Sequence, residues 1–374
     1  SLLQHYASWQ RRQGNSALES LCLVAVARRL SMEGRSEEAV ELLREAARRL
    51  PLEAAADGVW RACGGDPEEL PRKAWKIRSG NAYAKELRLL QHILRVVPPG
   101  SDNILEVMES YGRDELPSFS KWLKIAGGEK AQLLSAAAEA SPKGVALELG
   151  LYCGFSALRL SSQMPVVSVE ADLAHALIAE AVLNFAEAAH KVEIVVGHTE
   201  EMLPWLIRRM KPSQTQVGFV FMDQRGSRYH ADLDLLIQSG VLKDGAMVVA
   251  DNVLKPGAPR FLWALAQHSA LATHILEVEE YAMPNVPDWM TTSIYRDTAG
   301  SCEALVCEAP GAIRQLEWEA EQMRSRSHEP QHGGSGVDFG QWLAFSNAMA
   351  CSVTEALSLK VTRFSHSLAR GGMR

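Results

Sequence analysis

From about residue 80 the chain alternates short β-branched apolar runs with amphipathic helical stretches, a rhythm that restricts it to α/β architecture. The runs are Gly144–Leu149, Val166–Glu170, Val192–Val196, Val217–Met222, Ala246–Ala250 and Thr273–Tyr281. Between them Phe155–Gln163, Leu173–Ala189, Glu200–Met210 and Pro259–His268 carry helical spacing. The runs are nearly continuous in apolar residues, as strands covered on both faces should be. The pattern therefore predicts a Rossmann-like, mostly parallel sheet with helices on both faces.

A chain of 374 residues exceeds one such domain. Residues 1–79 read as a helical flank. Within it, Ala17–Leu50 has helical spacing on both sides of Gly34-Arg35-Ser36, with Ser36 placed to start the second helix. This hairpin resembles one tetratricopeptide-type unit. Such units bury their faces on stacked neighbours, and only one copy is present. The flank is thus expected to be an appendage, with a protein partner through residues 1–79 as the alternative. Residues 298–374 form an extension expected to be partly disordered. In it, Ser301–Ala309 reads as an edge strand, Ile313–Arg324 as a helix, Ser325–Gly336 as a polar linker and Phe339–Arg370 as partly helical. His328 and His332 have metal-ligand spacing, but Pro330 between them argues for a solvated loop.

Composition narrows the function classes. Acidic residues number 45 against 39 Lys and Arg, a net charge of −6, so no global basic excess recruits nucleic acid or an anionic membrane. Leu21–Ala27 is among the longest apolar runs, far short of a membrane span. Cys22, Cys63, Cys153, Cys302, Cys307 and Cys351 are scattered without a CxxC pair, which fits reduced thiols in a cytoplasmic protein. The chain begins at Ser1 without an initiator Met or a signal segment, as a fragment or processed product would.

Ligands of open α/β sheets bind beyond the carboxyl ends of the strands. The first run ends Glu148-Leu149-Gly150-Leu151-Tyr152-Cys153-Gly154-Phe155-Ser156. Gly150 and Gly154 permit close backbone approach, and Ser156 near the helix start can donate to a ligand. The second run ends in Glu170, where a carboxylate can accept both hydroxyls of a ribose. Loop and acid together fit an adenosine cofactor without a pyrophosphate, pointing to S-adenosylmethionine. Two later runs end in Asp223 and in Asp251-Asn252. Two carboxylates and an amide are hard donors suited to Mg²⁺; a helix cap and a turn are the competing explanation.

Three segments carry a resemblance that decides between these. Leu147–Ala157, Val220-Phe221-Met222-Asp223 and Ala250–Pro259 closely resemble catechol O-methyltransferase, with further similarity at Lys85–Arg88, Trp122–Gln132 and Ser293-Ile294-Tyr295. The resemblance covers about residues 80–297 and implies a class I methyltransferase fold. It implies that Asp223, Asp251 and Asn252 are magnesium ligands. It also implies that Ala126, Glu148, Gly150, Tyr152, Gly154, Ser156, Glu170, Thr199 and Asp223 surround S-adenosylmethionine. Trp122 and Pro256 fall where the family walls the catechol ring, and Glu280 where an acid holds the second hydroxyl, a longer loop (Ala282–Pro287) following here.

The implied chemistry is coherent. A catechol hydroxyl has a pKa near the phenolic value of about 10, and Mg²⁺ stabilises the oxyanion for in-line attack on the sulfonium methyl. The family's general-base Lys, however, stands three residues after the first metal Asp, where this chain has Gly226, and the aromatic before it is Arg225. Loss of a positioned base typically costs about 10²–10⁴-fold. Lys255 is a possible substitute, though a surface loop lysine is the simpler expectation. Lys124 stands where the family has an apolar residue near the methyl donor. The expectations are a Mg²⁺-dependent methyltransferase of a small catechol-like substrate, or of another hydroxylated substrate, an anionic one being steered by Arg225 and Arg228. The third is a non-catalytic binding module.

Overall fold

Apolar periodicity sets the order of elements along the chain, and the computed structural model describes residues 2–52, 56–65, 75, 77, 81–116, 122–297, 305–328 and 336–365. Helices α1 (Leu2–Arg12), α2 (Ser16–Met32), α3 (Ser36–Arg49) and α4 (Asp57–Ala62) come first, then α5 (Ala84–Val96), α6 (Ile104–Ser110) and α7 (Glu129–Ala140). The alternating region follows as β1 (Val145–Leu149), α8 (Phe155–Ser161), β2 (Val166–Glu170), α9 (Leu173–Phe185), β3 (Val192–Val196) and α10 (Thr199–Met210). It continues through β4 (Val217–Met222), α11 (Tyr229–Ser239), β5 (Leu242–Ala250), α12 (Pro259–Gln267), β6 (Leu271–Glu279) and β7 (Pro287–Tyr295). Helices α13 (Gly311–His328) and α14 (Phe339–Leu357) and strand β8 (Val361–Arg363) close the described chain.

The eight strands form one sheet in the order β3-β2-β1-β4-β5-β7-β6-β8. Strands β1 to β5 are mutually parallel, and β7 runs antiparallel between β5 and β6. The strand order reverses between β1 and β4, which opens a crevice at their carboxyl ends. Strands β2 and β4 are buried along their whole length, as their unbroken apolar sequences require. This is the Rossmann-like, mostly parallel sheet that the alternation predicts.

The N-terminal flank is not a separate layer. Residues Ala17–Ala27 of α2 are buried on every side, and such a helix must be enclosed. It shares one apolar core with α5, α6 and α9, and Arg28 pairs with Glu180 of α9 at 2.5 Å. The hairpin-like pair α2–α3 thus buries its face on the methyltransferase sheet's own helices instead of on further repeats, and α3 does begin at Ser36.

In the carboxy-terminal extension the described residues form helices on both stretches read as helical, Gly311–His328 and Phe339–Leu357. Asp338 and Gln341 form a reciprocal capping box that starts α14, at 2.8 and 2.9 Å. Helix α13 runs on through His328, into the expected linker, while His332 lies outside the described residues. Residues 305–309 form no strand: the Leu305 N–H donates to the Asp234 carboxylate at 2.8 Å instead of to a sheet ladder. The edge position belongs to β8, parallel to β6. Strand β7 went unpredicted because its Pro287-Asp288 start and central Thr291-Thr292-Ser293 are too polar for an apolar-run criterion. No helix of the described residues is long and apolar enough to cross a membrane.

Candidate active site

Sheet register assembles the centre. Leu149 pairs with Met222, and Met222 with Ala250, so the next residues, Gly150, Asp223 and Asp251, stand abreast at the crevice. Backbone bonds continue past the strands, Asp223 N–H to Leu149 carbonyl at 2.8 Å and Asp251 N–H to Met222 carbonyl at 3.0 Å. Gly150 has φ +100°, and a β-carbon there would stand 2.6 Å from the Asp223 carbonyl oxygen. Only glycine lets these two strand ends approach.

A cavity of about 770 Å³ opens over this point. Along one end it is lined by Gly150, Tyr152, Glu170, His175 and Thr199. Glu170 accepts the Leu151 and Tyr152 N–H groups at 3.0 and 2.9 Å with one carboxylate oxygen, and the Asp172 N–H at 2.8 Å with the other. The acid therefore shapes the loop as well as facing the cavity. The Tyr152 hydroxyl donates to Glu86 of α5 at 2.6 Å, and Lys85 holds the Trp122 carbonyl at 2.8 Å. Thr199 donates to Asp232 at 2.7 Å, which Gln224 and Arg228 also contact. Asp232 was invisible to a reading of strand ends because it lies inside α11.

Four expected cofactor residues do not line the cavity. Ala126, Gly154, Glu148 and Ser156 lie behind the loop. Glu148 is fully buried against the Ser156 and Ser168 hydroxyls, and burial pushes its carboxyl up to about 7. One of its oxygens has no hydrogen-bond partner among the described residues. Gly154, at φ +83°, caps the start of α8.

The other end of the cavity is a buried charge cluster. The Lys130 ammonium, 1% exposed, lies 2.9 Å from Asp251, 3.0 Å from Glu280 and 2.7 Å from Asp288. Burial opposes the Lys130 charge, yet Asp251, Asp288 and Glu280 together hold it well above its ordinary pKa. Lys255 pairs with the same Glu280 oxygen at 2.8 Å and is itself buried, correcting the expectation of a surface lysine. Its backbone N–H donates to Asp288, whose other oxygen accepts the Asn252 amide at 2.8 Å. Burial raises the Glu280 pKa, but Lys130 and Lys255 outweigh it and hold it at about 2. Neither Lys130 nor Asp288 was singled out from sequence, because a lysine in α7 and an acid opening β7 carry no local motif.

At Asp223 and Asp251 burial prevails over the nearby cation. Burial and the neighbouring Asp251 push Asp223 well above the carboxylate range, and Asp251 itself stands at about 6, chiefly through burial. Lys124 projects into the cavity, open to its water but walled by protein; this desolvation, then Lys85 and Lys255, lower it to about 8, against Glu86 and Asp223.

The place of the family's base is occupied. A β-carbon at Gly226 would meet the Gly257 carbonyl at 2.9 Å and the Arg324 guanidinium of α13 at 3.0 Å. Arg225 is bound to Glu321 of α13, and Arg228 to Glu200 and Asp232. Both arginines are thereby committed to carboxylates rather than left to steer an anion.

Two outcomes follow from these charges. Lys130→Met should lower stability by about 3–5 kcal/mol, because three buried carboxylates lose their cation; urea unfolding measures it, and an unchanged midpoint would refute the role. A cationic ligand favours neutral Lys124, so its affinity should rise with pH through about 8. Calorimetric titration of S-adenosylmethionine at pH 7 and 9 should show tighter binding at 9, and Lys124→Met should abolish the difference.

Comparison with known proteins agrees with this arrangement. Residues 118–262 match the family model described as O-methyltransferase. Catechol O-methyltransferase of Mus musculus is 30% identical over 223 residues, covering 58% of this chain and 81% of that protein. Human transmembrane O-methyltransferase is 34% identical over 183 residues, 47% of this chain and 60% of that protein. The Streptomyces achromogenes O-methyltransferase TomG, solved with its cofactor, aligns at 23% identity and TM-score 0.43 over 53% of this chain and 92% of its own. By its identity with the Mus musculus catechol O-methyltransferase, of which it covers 81%, the chain belongs to the catechol O-methyltransferase family, as an S-adenosylmethionine-dependent O-methyltransferase.

Proposed function

We propose that the protein transfers the methyl group of S-adenosylmethionine to a hydroxyl of a small catechol-like substrate, with Mg²⁺ at Asp223, Asp251 and Asn252. One observation carries this reading: these three residues open into the cavity between the Gly150–Tyr152 loop and the Glu280–Lys255 pair. Among the described residues no three His, Cys, Asp or Glu side chains form a ready metal cluster, so the donor set is two carboxylates and an amide. Its chemistry suits a divalent cation. The Asn252 nitrogen is spent on Asp288, which leaves its oxygen to coordinate. Among the described residues the Asp223 carboxylate has no hydrogen bond or ion pair, and its raised pKa marks uncompensated negative charge. Bound there, Mg²⁺ would acidify a substrate hydroxyl and favour substrates with two vicinal oxygens.

At the cofactor end, the Glu170 oxygen that accepts only the Asp172 N–H retains a lone pair for a ribose hydroxyl, the other being filled by the Leu151 and Tyr152 N–H groups. At the substrate end, Trp122 and Pro256 wall a flat ring, and Glu280 accepts a hydrogen bond from the hydroxyl that is not methylated. Lys255 takes the place of the family's lysine from a different loop: the reacting hydroxyl gives its proton to solvent, and the Lys255 ammonium beside Glu280 stabilises the oxyanion left behind. That oxygen then bonds to the methyl carbon as the carbon–sulfur bond breaks, releasing the neutral thioether S-adenosylhomocysteine. Alignment and water exclusion by the enclosing walls supply most of the remaining acceleration.

Labelled S-adenosylmethionine incubated with a catechol panel should give methylated product only with Mg²⁺. Metal-independent turnover, or none despite cofactor binding, would count against the assignment. Lys255→Ala should lower the rate by about 10²–10⁴-fold and move the optimum to higher pH, where the substrate ionises unaided. An identical pH profile would remove Lys255 from the mechanism.

A further inference from the structure

The substrate end of the cavity is closed by residues from outside the region that resembles the family. Trp342, in the first turn of α14, lines the cavity beside Trp122, Lys255 and Pro256. Its ring stands edge-on to that of Trp122, centroids 6.4 Å apart at 87°. The Lys255 ammonium lies 4.6 Å from the Trp342 ring centre and 5.8 Å from that of Trp122. Met283, Val286, Met323 and Val337 pack around the pair.

Trp342 is only 2% exposed, yet its indole nitrogen has no hydrogen-bond partner among the described residues. A tryptophan serving only to fill a core normally satisfies that donor. Its position also compensates a loss. Arg225 stands where an aromatic wall is expected, and its guanidinium pairs with Glu321 of α13. The same extension brings in Trp342.

We propose that Trp342 is a specificity-determining residue of the acceptor site, an aromatic wall that with Trp122 and Pro256 receives the plane of a flat aromatic substrate. The proposal rests on the reading of this cavity as the acceptor site of a methyltransferase. It assigns the carboxy-terminal helices a part in substrate selection, and it predicts a preference for planar aromatic hydroxyls over aliphatic diols.

Two substitutions separate the ring from its packing volume. Trp342→Leu keeps apolar bulk and removes the aromatic face; Trp342→Phe keeps the face. Calorimetric affinity for S-adenosylmethionine, expected unchanged in both, certifies the fold. With a turned-over catechol, Trp342→Leu should reduce kcat/KM about 10- to 100-fold, mostly through KM, since a lost stacking contact weakens ground and transition states alike. Trp342→Phe should recover most of the loss. Equilibrium titration with 4-nitrocatechol, whose absorbance reports its ionisation, tests the wall without turnover. Weaker binding by Trp342→Leu supports the wall even if no catechol is methylated, an outcome that would defeat only the reading of the reaction. Equal kcat/KM in all three proteins, or 4-nitrocatechol binding that ignores the substitution or is absent from the wild type, overturns the proposal.

Discussion

The ammonium of Lys130 allows Asp251, Glu280 and Asp288 to share a buried volume at one end of the sheet. Three carboxylates at that spacing repel one another strongly when water is excluded, and burial alone would drive them to take up protons. One cation within about 3 Å of all three offsets that repulsion. The cost is that every element reaching the cluster must be placed to a fraction of an ångström. Lys130 comes from α7, Asp251 from the end of β5, Asp288 from the start of β7 and Glu280 from the turn after β6. The antiparallel β6–β7 pair thereby closes the acceptor side of the site.

Asp288 ties this cluster to the loop after β5. Its two oxygens hold the Asn252 amide and the Lys255 backbone, fixing both residues relative to Asp251. Asp223, one strand over, is left without an equivalent partner among the described residues. The same small region thus contains carboxylates paired with an ammonium and one without such a partner, and this difference in environment, rather than any difference in residue type, leaves Asp223 with the least compensated charge.

The fold was largely legible in the sequence, because its central strands are apolar on both faces and end in polar residues with chemical meaning. Asp223, Asp251 and Asn252 were found this way, and the register of β4 and β5 does bring them together. Lys255 was misread as a loop lysine, since nothing local distinguishes a buried ammonium from a solvated one. Lys130, Asp232 and Asp288 had no signal at all: each lies outside a motif, and its partners are distant in sequence. Helices α13 and α14 were legible as helical stretches, but their attachment was not: Glu321 of α13 finds its partner in Arg225, far away in sequence.

Sequence alone determined the α/β class, the first six strands along the chain and the identity of the strand-end acids, because periodicity and composition act over a few neighbouring residues. The absence of a lysine at position 226 was equally plain from it. Tertiary structure decided what fills that absence. Arg324 from α13 lies against Gly226, Lys255 reaches Glu280 from the neighbouring loop, and Trp342 arrives from a helix more than a hundred residues away in the chain. Charge pairing and ring packing act through space, so which amine and which aromatic ring complete the site is settled only when distant helices close over the sheet.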